Sequence, residues 1–316
     1  MLMTTEKTDL SPRLPHPKSI WPRRQLQQVE REYDAELRTL WTYMKPIGVP
    51  CFNQDMVEEL HHGANELQQY QGKCIHDETW APVEFSVIAS RRAGIFNLGG
   101  DLMLFLNLIR EKDREGLLNY AMYCIDAIYT HVTGYDASII TVSLIQGDAL
   151  GGGLELALAS DIIVAEAGTR MGLPEILFNL CPGMGAYSFL ARRVGMRKAE
   201  EILLSGNIYS AEDFSDMGVV DVLAPAGEGD RVVKDLIRKR KRHVNGASAI
   251  YDCRQHIWPV THEELSKIAV TWVEAALRIE EKDMKMMQRL LSSQRAQHVH
   301  GQRVKANGHH AALFAA

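Results

Sequence analysis

The stretch from Gln146 to Phe178, QGDALGGGLELALASDIIVAEAGTRMGLPEILF, constrains this chain more than any other. Three glycines, Gly151 to Gly153, stand between the β-branched run of Ile139–Ile145 and the helical LELALAS. A strand that enters a helix in this way exposes backbone N–H groups at the positive end of the helix dipole. Glycine lets a substrate oxygen approach that backbone closely, although a flexible turn is the plainer explanation of a glycine triplet taken alone. Glu155 falls just after the triplet, and Glu175 lies in a Gly-x-Pro-Glu turn twenty positions on. A glutamate in the first turn of a helix, or after proline, can serve the helix dipole and nothing else. The apolar setting argues for more. Glu155 sits in GLELALA, and Glu175 is followed by Ile176, Leu177 and Phe178. Desolvation raises a carboxyl pKa, and two such carboxyls near each other divide the duties of acid and base.

A second loop repeats the design. In IFNLGGDL, an apolar strand meets two glycines, and Asp101 is placed to cap the helix LMLFLNLIR by accepting a bond from an orphan N–H. Two such loops could aim two N–H donors at one oxygen, which is an oxyanion hole.

The remaining chain reads as strands alternating with helices over its first two thirds, then a helical end. This predicts an α/β fold with a helical appendage. Strands are expected in VEREYD, ELRTLWTYMKP, residues 83–89, DIIVAE and VVDVLAP. Helices are expected at 54–71, 114–130, 186–194, 198–205, 211–217 and 230–243, with one long amphipathic helix at 262–293. A Pro- and charge-rich arm at 1–24 is expected to be mobile, and the His-rich tail at 296–316 disordered. A net charge of −5 argues against a general nucleic-acid binder. No apolar run approaches the ~18 residues of a membrane span. The N-terminus lacks the apolar region of a secretory signal. The five cysteines are odd in number and form no C-x-x-C pair, which predicts a reducing cytoplasm, no disulfide framework and no zinc site.

The order of strand, GGD loop, GGG-x-E helix, G-x-P-E turn, PGMGA and GNIYSAEDFSDMGVVD resembles the crotonase (enoyl-CoA hydratase/isomerase) superfamily over about Gln27 to Pro225. The resemblance implies a crotonase fold. A spiral of ββα turns would occupy residues 25–225, and a C-terminal helical region, 226–295, would cover the site and form trimer contacts. Within the superfamily, IFNLGGDLMLFLNLIRE, MGLPEILFNLCPGMGAYSFLARRVG and TWVEAALRIEEKDMKMMQRLL are most similar to bacterial diffusible-signal-factor synthases. Ordinary hydratases usually carry A-G-x-D where this chain has LGGD, and G-G-T-Q-x-L where it has GAYSFL.

That likeness implies an enzyme that takes a 3-hydroxyacyl thioester of acyl carrier protein (or CoA). It would dehydrate the thioester to a cis-2-enoyl thioester and hydrolyse that to a free fatty acid used in quorum sensing, with no metal or other cofactor. By position, the amides of Gly100 and Gly152 would form the oxyanion hole, Glu155 and Glu175 would be catalytic, and Trp272 and Leu290 would line the acyl pocket. Core packing at helical spacing is the competing explanation of the last two. The apolar tunnel such a chain needs would also draw on Leu154, Met171, Gly172 and Leu173. Relatives of this kind form trimers or hexamers, and some bind a sensor kinase. The basic run Arg238–Arg242 could dock an acidic carrier protein or CoA phosphates, or be a solvated helix end. Two rival readings stand beside this one: an acyl-CoA hydratase or isomerase, and a non-catalytic protein that binds a lipid thioester or a sensor.

Overall fold

The computed structural model describes residues 14–15 and 26–292. Apart from Leu14 and Pro15, the expected mobile arm lies outside the described residues, as does the whole expected tail at 296–316. Strands β1 (Val29–Asp34) and β2 (Thr39–Met44) lead into α1 (Gln54–Gln69), then a hairpin of β3 (Lys73–His76) and β4 (Thr79–Pro82). Three turns on one plan follow. The first is β5 (Phe85–Ser90), β6 (Gly94–Asn97), α2 (Leu102–Glu111) and α3 (Arg114–Val132). The second is β7 (Ile140–Ile145), β8 (Gly147–Leu150) and α4 (Gly152–Leu158). The third is β9 (Ile162–Glu166), β10 (Arg170–Gly172), α5 (Ala186–Val194) and α6 (Met196–Ser205). β11 (Ile208–Ser210), α7 (Ala211–Asp216) and β12 (Val222–Ala224) complete the spiral. α8 (Gly229–Lys241), α9 (Val244–Ile257), α10 (His262–Ala276) and α11 (residues 281–292) end the described chain.

Each turn gives one strand to each of two sheets. The first strands make the six-stranded sheet β1-β2-β5-β7-β9-β12, parallel except for β1 against β2. The second strands make β11-β10-β8-β6, parallel except for β10 against β11. This is the ββα spiral that the resemblance implies.

Side chains alternate across the larger sheet and build two cores. Ile88, Ile145, Ile163 and Ala165 face a core shared with Phe105, Leu154 and Trp272. Val87, Val142, Leu144 and Val164 face another, covered by Val233 and Ile237 of α8. The basic run at the end of α8 therefore belongs to the layer on the opposite face from the helices that carry Glu155 and Trp272. Within one chain it is not beside them. Among the described residues, no helix is long and apolar enough to cross a membrane.

The short strands β8, β10 and β11 of the second sheet were not expected, and three further elements differ from expectation. The hairpin β3–β4 turns through Asp77 and Glu78, both at positive φ (46° and 59°), without the glycine or asparagine that marks such turns in a sequence. α9 was not expected, because only Ala247 of its residues is buried and no apolar stripe shows. The single helix expected at 262–293 is broken at 277–280. There the Asp283 carboxylate accepts the Glu280 N–H at 2.9 Å and a bond from Asn179 at 3.1 Å, capping a new helix start.

Candidate active site

The glycine triplet does what its position predicts. Gly151 adopts φ +51° and donates its N–H to the Gly172 carbonyl at 2.9 Å. Gly152 then begins α4, so its N–H has no partner within the helix. A Cβ on Gly153 would lie 2.2 Å from the Asn97 carbonyl oxygen, so only glycine lets α4 pack against the end of β6. The second loop is braced from both sides. Asn97 Oδ1 accepts the Gly99 N–H at 2.8 Å, Phe52 donates its N–H to the Gly99 carbonyl at 2.7 Å, and Tyr120 Oη donates to the Phe52 carbonyl at 2.6 Å. Asp101 caps α2 through the amides of Met103 and Leu104. The two loops meet: a Cβ built on Gly152 would lie 3.6 Å from the Gly100 nitrogen.

Glu155 projects from the first turn of α4 and is 2% exposed. Its Oε1 accepts the Met184 N–H at 2.7 Å and the Ala186 N–H at 3.0 Å. Burial drives its carboxyl well above the ordinary range, while these two amides, which favour the anion, partly oppose the rise. Glu175 lies in the 3-10 turn Pro174–Phe178. Its Oε1 packs against Gly151, 2.6 Å from where a Cβ would stand, and its Oε2 is buried with no hydrogen-bond partner. Burial raises this carboxyl too, and the charge of Glu155 adds to the rise. Other buried acids show what is missing. Glu59 accepts the amides of Gln27, Gln28 and Val29, and Glu166 accepts those of Gly227 and Gly229. A buried carboxylate oxygen without such a partner is costly to the fold; Glu84 Oε2 is another, away from the cavity, so the orphaned oxygen gains meaning only from its place beside Gly151 and Glu155.

Gly100, Gly152, Glu155 and Glu175 all line one cavity of about 120 Å³. Trp272 of α10 and Leu290 of α11 line its apolar side. The Trp272 ring meets Phe105 edge-on at 5.0 Å, and Phe105 meets Tyr120 at 5.1 Å. The expectation fails for Leu154, Met171, Gly172 and Leu173, none of which lines the cavity. Leu154, Met171 and Leu173 point into the core at 1% exposure or less. Gly172 instead backs onto β11, where a Cβ would meet the Asn207 carbonyl at 2.6 Å, and it holds Gly151 through its own carbonyl. Nearness in sequence to a glutamate does not fix the face on which a neighbour emerges. Among the walls that were missed are Phe105, Tyr120, Cys124, Phe178 and Met184. The PGMGA motif could have indicated Met184. Nothing in the sequence of α3 separates Tyr120 and Cys124 from core residues. Among the described residues, no group of three or more His, Cys, Asp or Glu side chains is arranged to hold a metal ion.

The family model described as enoyl-CoA hydratase/isomerase matches residues 63–277. The mevalonyl-coenzyme A hydratase SIDH of Beauveria bassiana is 42% identical over 97 residues, covering 31% of this chain and 34% of that protein. The fatty acid oxidation complex subunit alpha of Aliivibrio fischeri is 31% identical over 167 residues, 52% of this chain and 23% of that one. The match thus spans about a third and under a quarter of these relatives. The crystal structure of enoyl-CoA hydratase from Bacillus halodurans shares the fold, with a TM-score of 0.69 at 18% identity over 83% of this chain and all of that one.

Proposed function

Since the chain belongs to the enoyl-CoA hydratase/isomerase family, we propose that it is an acyl-thioester lyase that removes water across C2 and C3 of a 3-hydroxyacyl chain. One observation carries the reading: two buried carboxyls and the amides of Gly100 and Gly152 face a single cavity with an apolar wall. The thioester carbonyl docks on the two amides, which stabilise the enolate as charge develops on oxygen. Glu175 rests against Gly151, next to the amide that would hold the carbonyl, and so faces C2. Glu155, further along α4, faces the C3 hydroxyl. In dehydration Glu175 takes the C2 proton and Glu155 protonates the departing hydroxyl; hydration runs the same transfers backwards. The pair works while it holds one proton between its members, a state favoured because burial raises both carboxyls and the charge on one opposes ionisation of the other.

The finer reading is a signal synthase. The substrate is carried by acyl carrier protein, the product is a cis-2-enoyl thioester, and a water activated in the same cavity then releases the free acid. The LGGD and GAYSFL departures from ordinary hydratases support it. An acyl-CoA hydratase is favoured instead by the names of the relatives above. We place Trp272 and Leu290 at the acyl chain, with the helices beyond residue 225 as cover. Assembly into a trimer belongs to the same proposal. It is supported by the apolar strip on and just beyond α9, where Ile250 and Ile257 are 70% and 84% exposed beside Trp258. The test is product analysis by mass spectrometry after incubation with 3-hydroxydodecanoyl acyl carrier protein and, separately, with the CoA thioester. Free cis-2-dodecenoic acid from the carrier-bound substrate is the expected result. Enoyl thioester without free acid would replace the signal-synthase reading with the hydratase one.

A further inference from the structure

The two proposed oxyanion amides are aimed by different means. The Gly152 N–H belongs to α4, where Gly151 gives its carbonyl to the Glu155 N–H at 3.0 Å. A trans peptide is planar, with its C=O and N–H pointing in opposite directions. The helix bond on the Gly151 carbonyl therefore fixes the Gly152 N–H as well. The Gly100 N–H has no helix behind it, because α2 begins only at Leu102. Its direction is set by the other half of the same peptide, the Gly99 carbonyl, which accepts the Phe52 N–H at 2.7 Å. Phe52 and Gly100 pair as an isolated parallel bridge, outside any strand. Planarity turns the Gly100 N–H away from Phe52, and Gly100 lines the cavity.

The aim of this donor thus depends on where Phe52 stands, in the irregular stretch between β2 and α1. Tyr120 ties that stretch to α3, its Oη donating to the carbonyl of the same Phe52 at 2.6 Å. The phenol is buried, and its ring meets Phe105 edge-on at 5.1 Å. Its oxygen lies 3.7 Å from where a Cβ on Gly100 would stand. Burial raises its pKa well above the ordinary phenol range, so the hydroxyl stays a donor. A buried tyrosine needs an acceptor, and any nearby carbonyl would satisfy it. Here the acceptor belongs to the residue whose N–H orients the Gly99–Gly100 peptide.

We propose that Tyr120 is a positioning residue for the oxyanion hole: through the Phe52 main chain it holds the Gly99–Gly100 peptide so that the Gly100 N–H aims at the thioester oxygen. The proposal rests on the oxyanion reading of Gly100 and Gly152. The test uses a ketone analogue of octanoyl pantetheine, with methylene in place of sulfur and an isotopic label at the carbonyl carbon. Infrared difference spectroscopy reads the carbonyl stretch of the bound analogue, which falls as hydrogen bonds to the oxygen strengthen. In the wild type it should lie below its value in water. Tyr120→Phe should give back roughly half or more of that fall and lower kcat for a 3-hydroxyacyl thioester roughly 10–100-fold, with KM within about threefold. Tyr120→Met, a flexible filler without a donor, gives the same reading should phenylalanine prevent folding. Replacement of Tyr120 by para-aminophenylalanine keeps an N–H donor in place and should restore both the stretch and kcat. A folded variant without the donor that keeps the lowered stretch would overturn the role of Tyr120 and leave the oxyanion reading standing. A wild-type stretch no lower than in water would overturn the oxyanion reading and the proposal with it.

Discussion

The Met184 amide holds Oε1 of Glu155 at 2.7 Å, and the Ala186 amide holds the same oxygen at 3.0 Å. The PGMGA loop therefore positions a carboxyl that α4 supplies. Gly185, between the two amides, makes this possible at φ +103°; a Cβ there would stand 2.8 Å from Leu265 and 2.9 Å from Phe189. Gly185→Ala should pull the loop away from Glu155. The expected effect is a fall in kcat of roughly 10–100-fold from losing two charge-assisted bonds, with KM changed far less. Steady-state kinetics on a 3-hydroxyacyl thioester checks the split.

Gly152→Ala places a methyl 2.9 Å from Met184 Sδ and 3.6 Å from the Gly100 nitrogen. The flexible thioether can move, so the fold should survive, but the methyl intrudes between the two proposed oxyanion donors. A loss of roughly 10²–10³ in kcat is expected, the scale of one oxyanion donor. Circular dichroism matching the wild type would confirm that the loss is chemical.

Both cavity carboxyls, Glu155 and Glu175, are raised, so the folded protein keeps protons that the unfolded chain releases. Stability from this source is complete below the unfolded carboxylate range and is lost as pH rises through the raised values. Glu175→Gln removes the group whose Oε2 lacks a partner. It should stabilise the protein by roughly 1–3 kcal/mol at alkaline pH and by much less at mildly acidic pH. Thermal unfolding followed across pH tests the sign: equal stabilisation at both ends would show that ionisation is not the cause. Activity should fall on both sides of a maximum, as the pair becomes doubly protonated or doubly ionised.

Trp272→Ala removes a wall of the cavity and the edge contact to Phe105. It should cost about 3–5 kcal/mol of stability, with Trp272→Phe milder. KM for a long acyl chain should rise more than kcat falls if, as proposed, the indole lies against the acyl chain rather than the reacting atoms. Paired denaturant melts and kinetics would separate the two effects.

The sequence made the backbone machinery legible because glycine and capping residues have few other uses. GGG-x-E, LGGD and the cap Asp101 are each recovered in place. Leu154, Met171 and Leu173 were misassigned because an apolar residue beside a glutamate can as readily turn to the core, and alternation along a strand or helix decides which. Cys124 and Met184 were missed because they join the cavity only through tertiary packing between α3 and the PGMGA loop. The break at residues 277–280 was hidden because Leu277 and Ile279 continue an apolar pattern that the Asp283 cap interrupts.

The most direct test of the account is turnover of a 3-hydroxydodecanoyl thioester by the wild type, Glu155→Gln and Glu175→Gln, with the fold of each verified by circular dichroism. The account predicts that each substitution alone lowers dehydration by roughly 10²–10⁴-fold. A folded variant of either residue that turns over at the wild-type rate would contradict the claim that these two carboxyls, facing one cavity, carry the reaction.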